Sequence, residues 1–290
     1  MPRKKLEELE EPDELEEPEI YIESQEPEEP VEPEELPDLP IKLELSINYD
    51  FTGTSNFIII DDELYYINPV NLKNIKVTIR NWQKYFTDWE KIEKEWVRRL
   101  NSKCEGKKGK PSAFAILDMP SNGHCLFTAI STAFNLHNKK EIYKPKDIRD
   151  LTADQLNQER FDFIMDSFKS ADEVGELEED INFDEIKTVE DLKELLKTED
   201  VQFWGDYSCI LFIQEAMNIN IIVLGDNNKV YPLLEEFNRE KETVILHYIE
   251  GLHFQLVGYF NNLNIQTVFK YNEIPTEIKQ VYEEDCCNSI

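Results

Sequence analysis

Basic residues are scarce in this chain: 31 Lys and Arg stand against 61 Asp and Glu, a formal net charge of −30. A field of that sign repels nucleic acid and anionic membrane, so a large partner has to be basic or present a basic patch. Long apolar runs are missing as well. Stretches such as CILFI (209–213) suit a core strand or helix and fall far short of the roughly 20 residues that span a bilayer. A few basic residues near Met1 give way to acids with no apolar stretch behind them, so no secretory signal is expected. Cysteine is sparse and odd in number. Cys104, Cys125, Cys209, Cys286 and Cys287 are spread widely with no C-x-x-C pair, which argues against a disulfide framework and a zinc site. These absences describe a protein of a reducing compartment, expected in the cytoplasm, with no metal or cofactor.

What is present is unevenly distributed. Residues 1–40 hold 17 acidic and 3 basic residues and 8 of the 14 prolines. Such a segment cannot bury enough apolar surface to offset the entropy of ordering it, so it reads as a disordered spacing tail or a docking segment for a basic partner. From Ile41 the pattern changes. Ile41, Leu43, Leu45, Ile47 and Tyr49 alternate with polar residues, the period of a half-buried strand. NFIII, ELYYIN and IKVTI follow as short strands, with DD and NPVN as turns. Over 81–100 the spacing predicts a helix, because Trp82, Tyr85, Phe86, Trp89, Ile92, Trp96, Val97 and Leu100 recur at three- and four-residue steps. This stripe reads as core. Residues 101–110 are polar and basic and read as a linker closing a small β-rich region, 41–110. Residues 111–260 then form one α/β unit, and 261–290 a weakly structured extension.

The most informative ten residues are SNGHCLFTAI (121–130). Ser121 and Asn122 suit a helix N-cap, Gly123 a tight turn, and Leu126, Phe127, Ile130 and Phe134 a buried helical face. Cys125 therefore falls in the first helical turn, where unpaired N–H groups and the macrodipole favour a thiolate and can bind an oxyanion. A lone cysteine there is also a common small core residue. A nucleophilic thiol needs an imidazole, and the chain offers four. His124 points elsewhere as a helical neighbour, His137 sits in a polar stretch, and His247 lies inside a strand pattern. His253 opens a strand after a Glu250-Gly251 turn, with Gln255 on its face and Phe254 and Leu256 on the other. That pairing suits a base and its orienting group.

Three ordered blocks resemble the OTU (ovarian tumour) cysteine proteases. NGHCLFTAI resembles the family's D-G-x-C-L-F-x-A-[IL] nucleophile block and places Cys125 on the catalytic cysteine. FWGDYSCILFIQEAMNINIIVLG resembles its W-G block, and VILHYIEGLHFQLV its closing hairpin, which places the catalytic histidine on His253. The resemblance covers about 150 residues, from Ser112 to Phe260, and implies an α+β papain-like fold, a central small sheet flanked by helices. The family's acidic residue three before the cysteine is Asn122 here, and the common Asp or Asn two after the histidine is Gln255. Gln255 is the first candidate for the third member, its carbonyl accepting from the imidazole Nδ1–H, and Asp118 the second. Asn122 reads as a turn and oxyanion-loop residue, Trp204 as core, Gly205 as a turn former, Asp206 as an N-cap and Cys209 as core.

By that resemblance the reaction is thiol-dependent hydrolysis of the (iso)peptide bond after the C-terminal glycine of ubiquitin or a ubiquitin-like modifier. Ubiquitin and its conjugates would be the partners, and the acidic stretch 172–200 would touch substrate or simply be solvated. Two other readings stay open: an inactive OTU fold that only binds ubiquitin, and an interaction protein acting through its tail and front region. The composition, rich in Lys, Ile, Asn and Glu, is of the kind AT-rich genomes encode, as in large DNA viruses and intracellular parasites. A viral source would put the protein in the host cytoplasm.

Overall fold

The structure is a computed structural model and describes residues 56–107, 109–173, 185–198, 205, 207–232, 236–249 and 253–286. The acidic tail, the strand expected at 41–49, Trp204, Asp206 and the Glu250-Gly251 turn lie outside the described residues.

The described part opens with a three-stranded antiparallel sheet, β1 (Phe57–Ile60), β2 (Glu63–Ile67) and β3 (Asn74–Lys76). Asp61 and Asp62 both take positive φ, 49° and 62°, as the two central residues of a type I′ hairpin must. This accounts for the DD pair between two alternating runs.

The expected helix over 81–100 is not one element. A single 3-10 turn, Trp82–Lys84, gives way to a strand, β4 (Trp89–Lys91), and only then to helix α1 (Lys94–Lys103). Pairing overrides propensity here: Trp89, Glu90 and Lys91 pair with Leu117, Ile116 and Ala115 of β5 (Phe114–Leu117). The aromatic stripe is core all the same, but it serves two cores. Trp82, Phe86 and Trp89 bury in one cluster, and Ile92, Trp96 and Leu100 in another. Nor does 101–110 behave as a free linker. Asn101 Nδ2 donates to the Lys110 carbonyl at 2.8 Å, and Lys107 pairs with the buried Glu277.

Four helices follow: α2 (Cys125–Asn138), α3 (Pro145–Asp154), α4 (Gln158–Glu173) and α5 (Val189–Lys197). Helix α6 (Tyr207–Met217) then runs into β6 (Ile219–Gly225), which is buried on both faces and parallel to β8 (Glu242–Ile249). A strand covered on both sides reads as a continuous apolar run, hence INIIVLG. With β7 (Val230–Tyr231) and β9 (His253–Phe260) the main sheet runs β4-β5-β9-β8-β6-β7. β10 (Ile265–Gln266) pairs with β9, and β11 (Val268–Phe269) with β8.

Residues 261–286, the described part of the expected extension, are therefore not weakly structured. Besides β10 and β11 they form α7 (Thr276–Cys286), whose Ile278, Val281 and Tyr282 recur at helical spacing and are buried. The result is a mixed α+β architecture with helices on both faces of the sheet. One face, through Ala115, Val244, Leu246 and Leu256, packs in the cluster that holds residues of α2, α5 and α6. The other, through Ile116, Ile245, Val257 and Leu224, packs with α1 and α7 residues. Trp96 Nε1 donates to the Gly225 carbonyl at 2.7 Å between fully buried groups. Losing such a donor leaves a dry carbonyl, at a cost of about 1–3 kcal/mol.

Candidate active site

The turn from Met119 to Cys125 is fixed from within. Asn122 N–H donates to the Pro120 carbonyl at 3.0 Å, and Asn122 Oδ1 accepts from His124 N–H at 3.2 Å, an Asx turn. Gly123 takes φ +78°, a region costly for any side chain. The helix starts at Cys125 with His124 as N-cap, so the thiol is at the first helical position, as the motif suggests.

Arg149, to which the sequence reading gave no role, clamps this turn. It is 0% exposed on α3; its Nη2 donates to the Gly123 carbonyl at 2.8 Å and its Nε to His124 Nδ1 at 3.0 Å. Nη1 donates to the Leu196 carbonyl of α5 at 2.9 Å, and the guanidinium lies 4.3 Å from the Phe127 ring centroid. Because arginine only donates, His124 Nδ1 has to be the acceptor, which leaves that ring no part as a base at Nδ1. The signal was available: Arg149 shares a buried stripe with Ile148, Thr152 and Ala153, and a charge on such a stripe needs dedicated partners. Gly205 presses on the same helix. A Cβ there would meet Leu126 Cδ2 at 2.7 Å, so the glycine serves close packing rather than the turn expected of it. Cys209 is buried core, as expected, and His137 is exposed.

The imidazole side is assembled across strands. β5 and β9 pair Leu117 with Leu256, which puts Asp118 opposite Gln255 and diagonal to His253. β8 and β9 pair His247 with Gln255. Asp118, His253, Gln255 and His247 have the parity of Ile116, Val257 and Ile245, so they share one face at the end of the sheet. His253 Nε2 lies 2.8 Å from Asp118 Oδ1, and Gln255 Nε2 donates to the same oxygen at 2.8 Å. Gln255 Oε1 lies 3.0 Å from His247 Nδ1.

The third-member expectation is thereby corrected. Gln255 bonds Asp118 and His247 and not the His253 ring; two residues along one strand face, its side chain runs beside His253 rather than toward it. Asp118, the second candidate, holds the imidazole, and at Nε2 rather than at Nδ1. His253 Nδ1 is buried and has no hydrogen-bond partner among the described residues. The thiol lies beside this strand, since Phe254 N–H donates to Cys125 Sγ at 3.5 Å.

Electrostatics separate the two sides. Burial pushes the Cys125 thiol above its usual range; the N–H groups of Phe254, Leu126 and Cys125 and the Arg149 charge oppose this without cancelling it. The expected lowering by the helix start is thus real but outweighed, because Cys125 is 1% exposed. Desolvation also raises Asp118, yet hydrogen bonds from Gln255 and His253, the His253 charge and the Met119 N–H more than offset it and hold the carboxyl below its usual range. No cluster of three or more potential metal ligands occurs among the described residues.

Residues 120–254 match the family of OTU-like cysteine proteases. This segment is an OTU-like domain. Solved structures similar to the chain include an ovarian tumour (OTU) domain in complex with ubiquitin, 19% identical over 58% of this chain and 84% of that one, TM-score 0.35. Others are the OTUD1 OTU domain (14%, 50% and 85%, TM-score 0.31) and the viral OTU domain protease from Dera Ghazi Khan virus (14%, 50% and 80%, TM-score 0.29). No curated protein matches the chain. Cys125 and His253 both lie inside the OTU-like domain, whereas Asp118 and Gln255 fall just outside the matched residues. The carboxylate on the imidazole thus comes from the strand that leads into the domain's first block.

Proposed function

We propose that the OTU-like domain is a thiol-dependent deubiquitinase, cleaving the (iso)peptide bond after the C-terminal glycine of ubiquitin or a ubiquitin-like modifier. The observation that carries this reading is the His253 ring: Asp118 occupies Nε2, and Nδ1 has no hydrogen-bond partner among the described residues, next to the strand position whose N–H meets Cys125 Sγ. In the proposed cycle His253 Nδ1 takes the thiol proton and the thiolate attacks the scissile carbonyl. His253 then gives that proton to the leaving amine as the C–N bond breaks, producing a thioester. Water, deprotonated by the same nitrogen, hydrolyses the thioester and regenerates the thiol. Asp118 keeps the ring's proton on Nε2 and stabilises the imidazolium.

The N–H groups of Asn122 and His124 are used inside the turn, so the oxyanion falls to the Cys125 N–H and its neighbours rather than to the whole of 122–125. Asn122 then acts by shaping the turn. The ubiquitin assignment comes from the family, and the acidic balance of the chain suits the basic C-terminal tail of that partner.

One observation favours a binding-only reading, the burial of a neutral thiol. Covalent capture by ubiquitin carrying a C-terminal electrophile decides between them. The deubiquitinase reading expects an adduct with the wild type, none with Cys125→Ala, and slow formation with His253→Ala. Binding without an adduct would favour the receptor reading, and neither would remove ubiquitin from consideration.

A further inference from the structure

His247 is a fully buried histidine 0% exposed, on a strand two positions across the sheet from Asp118, with no place in the proposed reaction. Its surroundings fix its proton. Asp118 Oδ1 receives Gln255 Nε2, and an ionised carboxylate only accepts, so the amide nitrogen must face Asp118. Gln255 Oε1 therefore faces His247, and an amide oxygen only accepts, so His247 Nδ1 must carry a hydrogen. Hydrogen bonds then run in one direction: His247 Nδ1–H to Gln255 Oε1, and Gln255 Nε2–H to Asp118 Oδ1, where His253 Nε2–H also ends.

An amide can rotate by half a turn at little cost in shape. Rotated, Gln255 would point its carbonyl oxygen at the Asp118 carboxylate, and the carboxylate would lose a donor. Two neighbours select the first orientation: Asp118 Oδ1 only accepts, and His247 Nδ1–H only donates and so needs the amide oxygen. Its Nε2 has no hydrogen-bond partner among the described residues, so this one bond sets the ring's polar function.

We propose that His247 is a positioning residue that acts through Gln255: it holds the amide so that Asp118 stays fixed on the His253 imidazole. This rests on the assignment of His253 as the base, and it predicts that the effect of His247 disappears when Gln255 is absent. His247→Leu removes the donor at similar volume; His247→Asn places an amide Nδ2 where Nδ1 stood and restores it.

The test uses the full chain and two readouts. With ubiquitin bearing a C-terminal fluorogenic amide as the probe, His247→Leu should lower kcat about tenfold with KM unchanged, and His247→Asn should recover most of it. In a Gln255→Leu background, His247→Leu should add nothing; a further tenfold loss there would overturn the proposal, because it would mark a structural role independent of the amide. Ring 15N NMR decides the matter even if the protein leaves the probe intact. His247 should show the Nδ1–H tautomer, and the His253 ring signals should move alike in His247→Leu and Gln255→Leu. An Nε2–H tautomer at His247, or His253 signals unmoved by His247→Leu, would overturn it.

Discussion

On the thiol side of the site a few consecutive residues and one buried guanidinium fix the geometry; on the imidazole side four side chains from three strands do it. The turn at 120–125 is local: its Asx bond, its positive-φ glycine and the helix start all lie within six residues. Arg149 supplies a long-range hold on the turn, and it does so in the dry interior. The row Asp118, Gln255 and His247 depends instead on strand register, and its outer member Asp118 is exposed to solvent. A buried clamp should fail as a whole when cut. A register-built row should lose function by degrees while the fold persists.

The largest effect is therefore expected from Arg149→Met. It strips the Gly123 and Leu196 carbonyls of their donor and removes the cation from the Phe127 face. Charge-assisted bonds to buried groups are each worth about 1.5–3 kcal/mol, so a loss of about 3 kcal/mol in urea unfolding is expected, with adduct formation at Cys125 falling below detection. Arg149→Lys should not rescue it, because an ammonium cannot reach three acceptors in the plane of a fork. A lysine variant with wild-type stability and labelling would show that the clamp is a filler and not a hold.

Asp118→Asn breaks the other side. The backbone register stays, the amide can still meet His253, and stability should change by well under the Arg149 effect. Turnover should nonetheless fall on the order of 100-fold, since a neutral amide neither enforces the Nε2–H tautomer nor stabilises the imidazolium. Gln255→Asn, which shortens the arm that holds Asp118, should cost less than Asp118→Asn. The reverse ranking would restore Gln255 as the group that orients His253.

This asymmetry also decides what could be read without coordinates. Cys125, its helix and the buried run INIIVLG announce themselves because each is a local pattern: a cap, a helical stripe, an apolar strand. His253 and Gln255 could be placed on one face from strand parity alone. That Asp118 and not Gln255 meets the ring required knowing that Leu117 pairs with Leu256, a contact 139 residues apart that no spacing encodes. The aromatic stripe at 82–100 misled for the same reason. Its spacing suits a helix, but Trp89 had a partner strand waiting across the chain, and pairing with β5 won. Arg149 was legible in principle as a charge on an apolar stripe, whereas its target, a carbonyl in the nucleophile turn, was not.

Thiol reactivity sharpens the comparison from the chemical side. With burial outweighing the helix-start N–H groups, Cys125 in the free protein should react with iodoacetamide slowly near neutrality. The rate should climb through a titration above that of an unstructured cysteine, about 8.5. Arg149→Met should move that midpoint further up, because the guanidinium charge favours the thiolate. Rapid alkylation at pH 6 would mean that a thiolate–imidazolium pair already exists at rest, and that the two sides of the site are electrically joined before substrate arrives.

The smallest effect concerns the carboxylate's own contribution to the fold. Asp118 is held below its usual range in the folded protein, so the native state binds its proton less readily than the unfolded chain does. The sign follows from linkage: the stabilisation is fully present above the unfolded value, near 3.9, and is lost as pH falls through the lower folded value. Urea midpoints of wild type and Asp118→Asn should therefore differ by a constant amount above about pH 5 and converge below pH 4. Because the Asp118 side chain is 57% exposed, solvent screens the interaction and the gap should be modest. Gln255→Leu should narrow it further, since the amide is the leading cause of the lowered value and, unlike an ion pair, does not weaken with added salt. A gap that vanished in high salt would assign the stabilisation to the His253 charge instead, and would move Gln255 from holding the carboxylate to merely lying beside it.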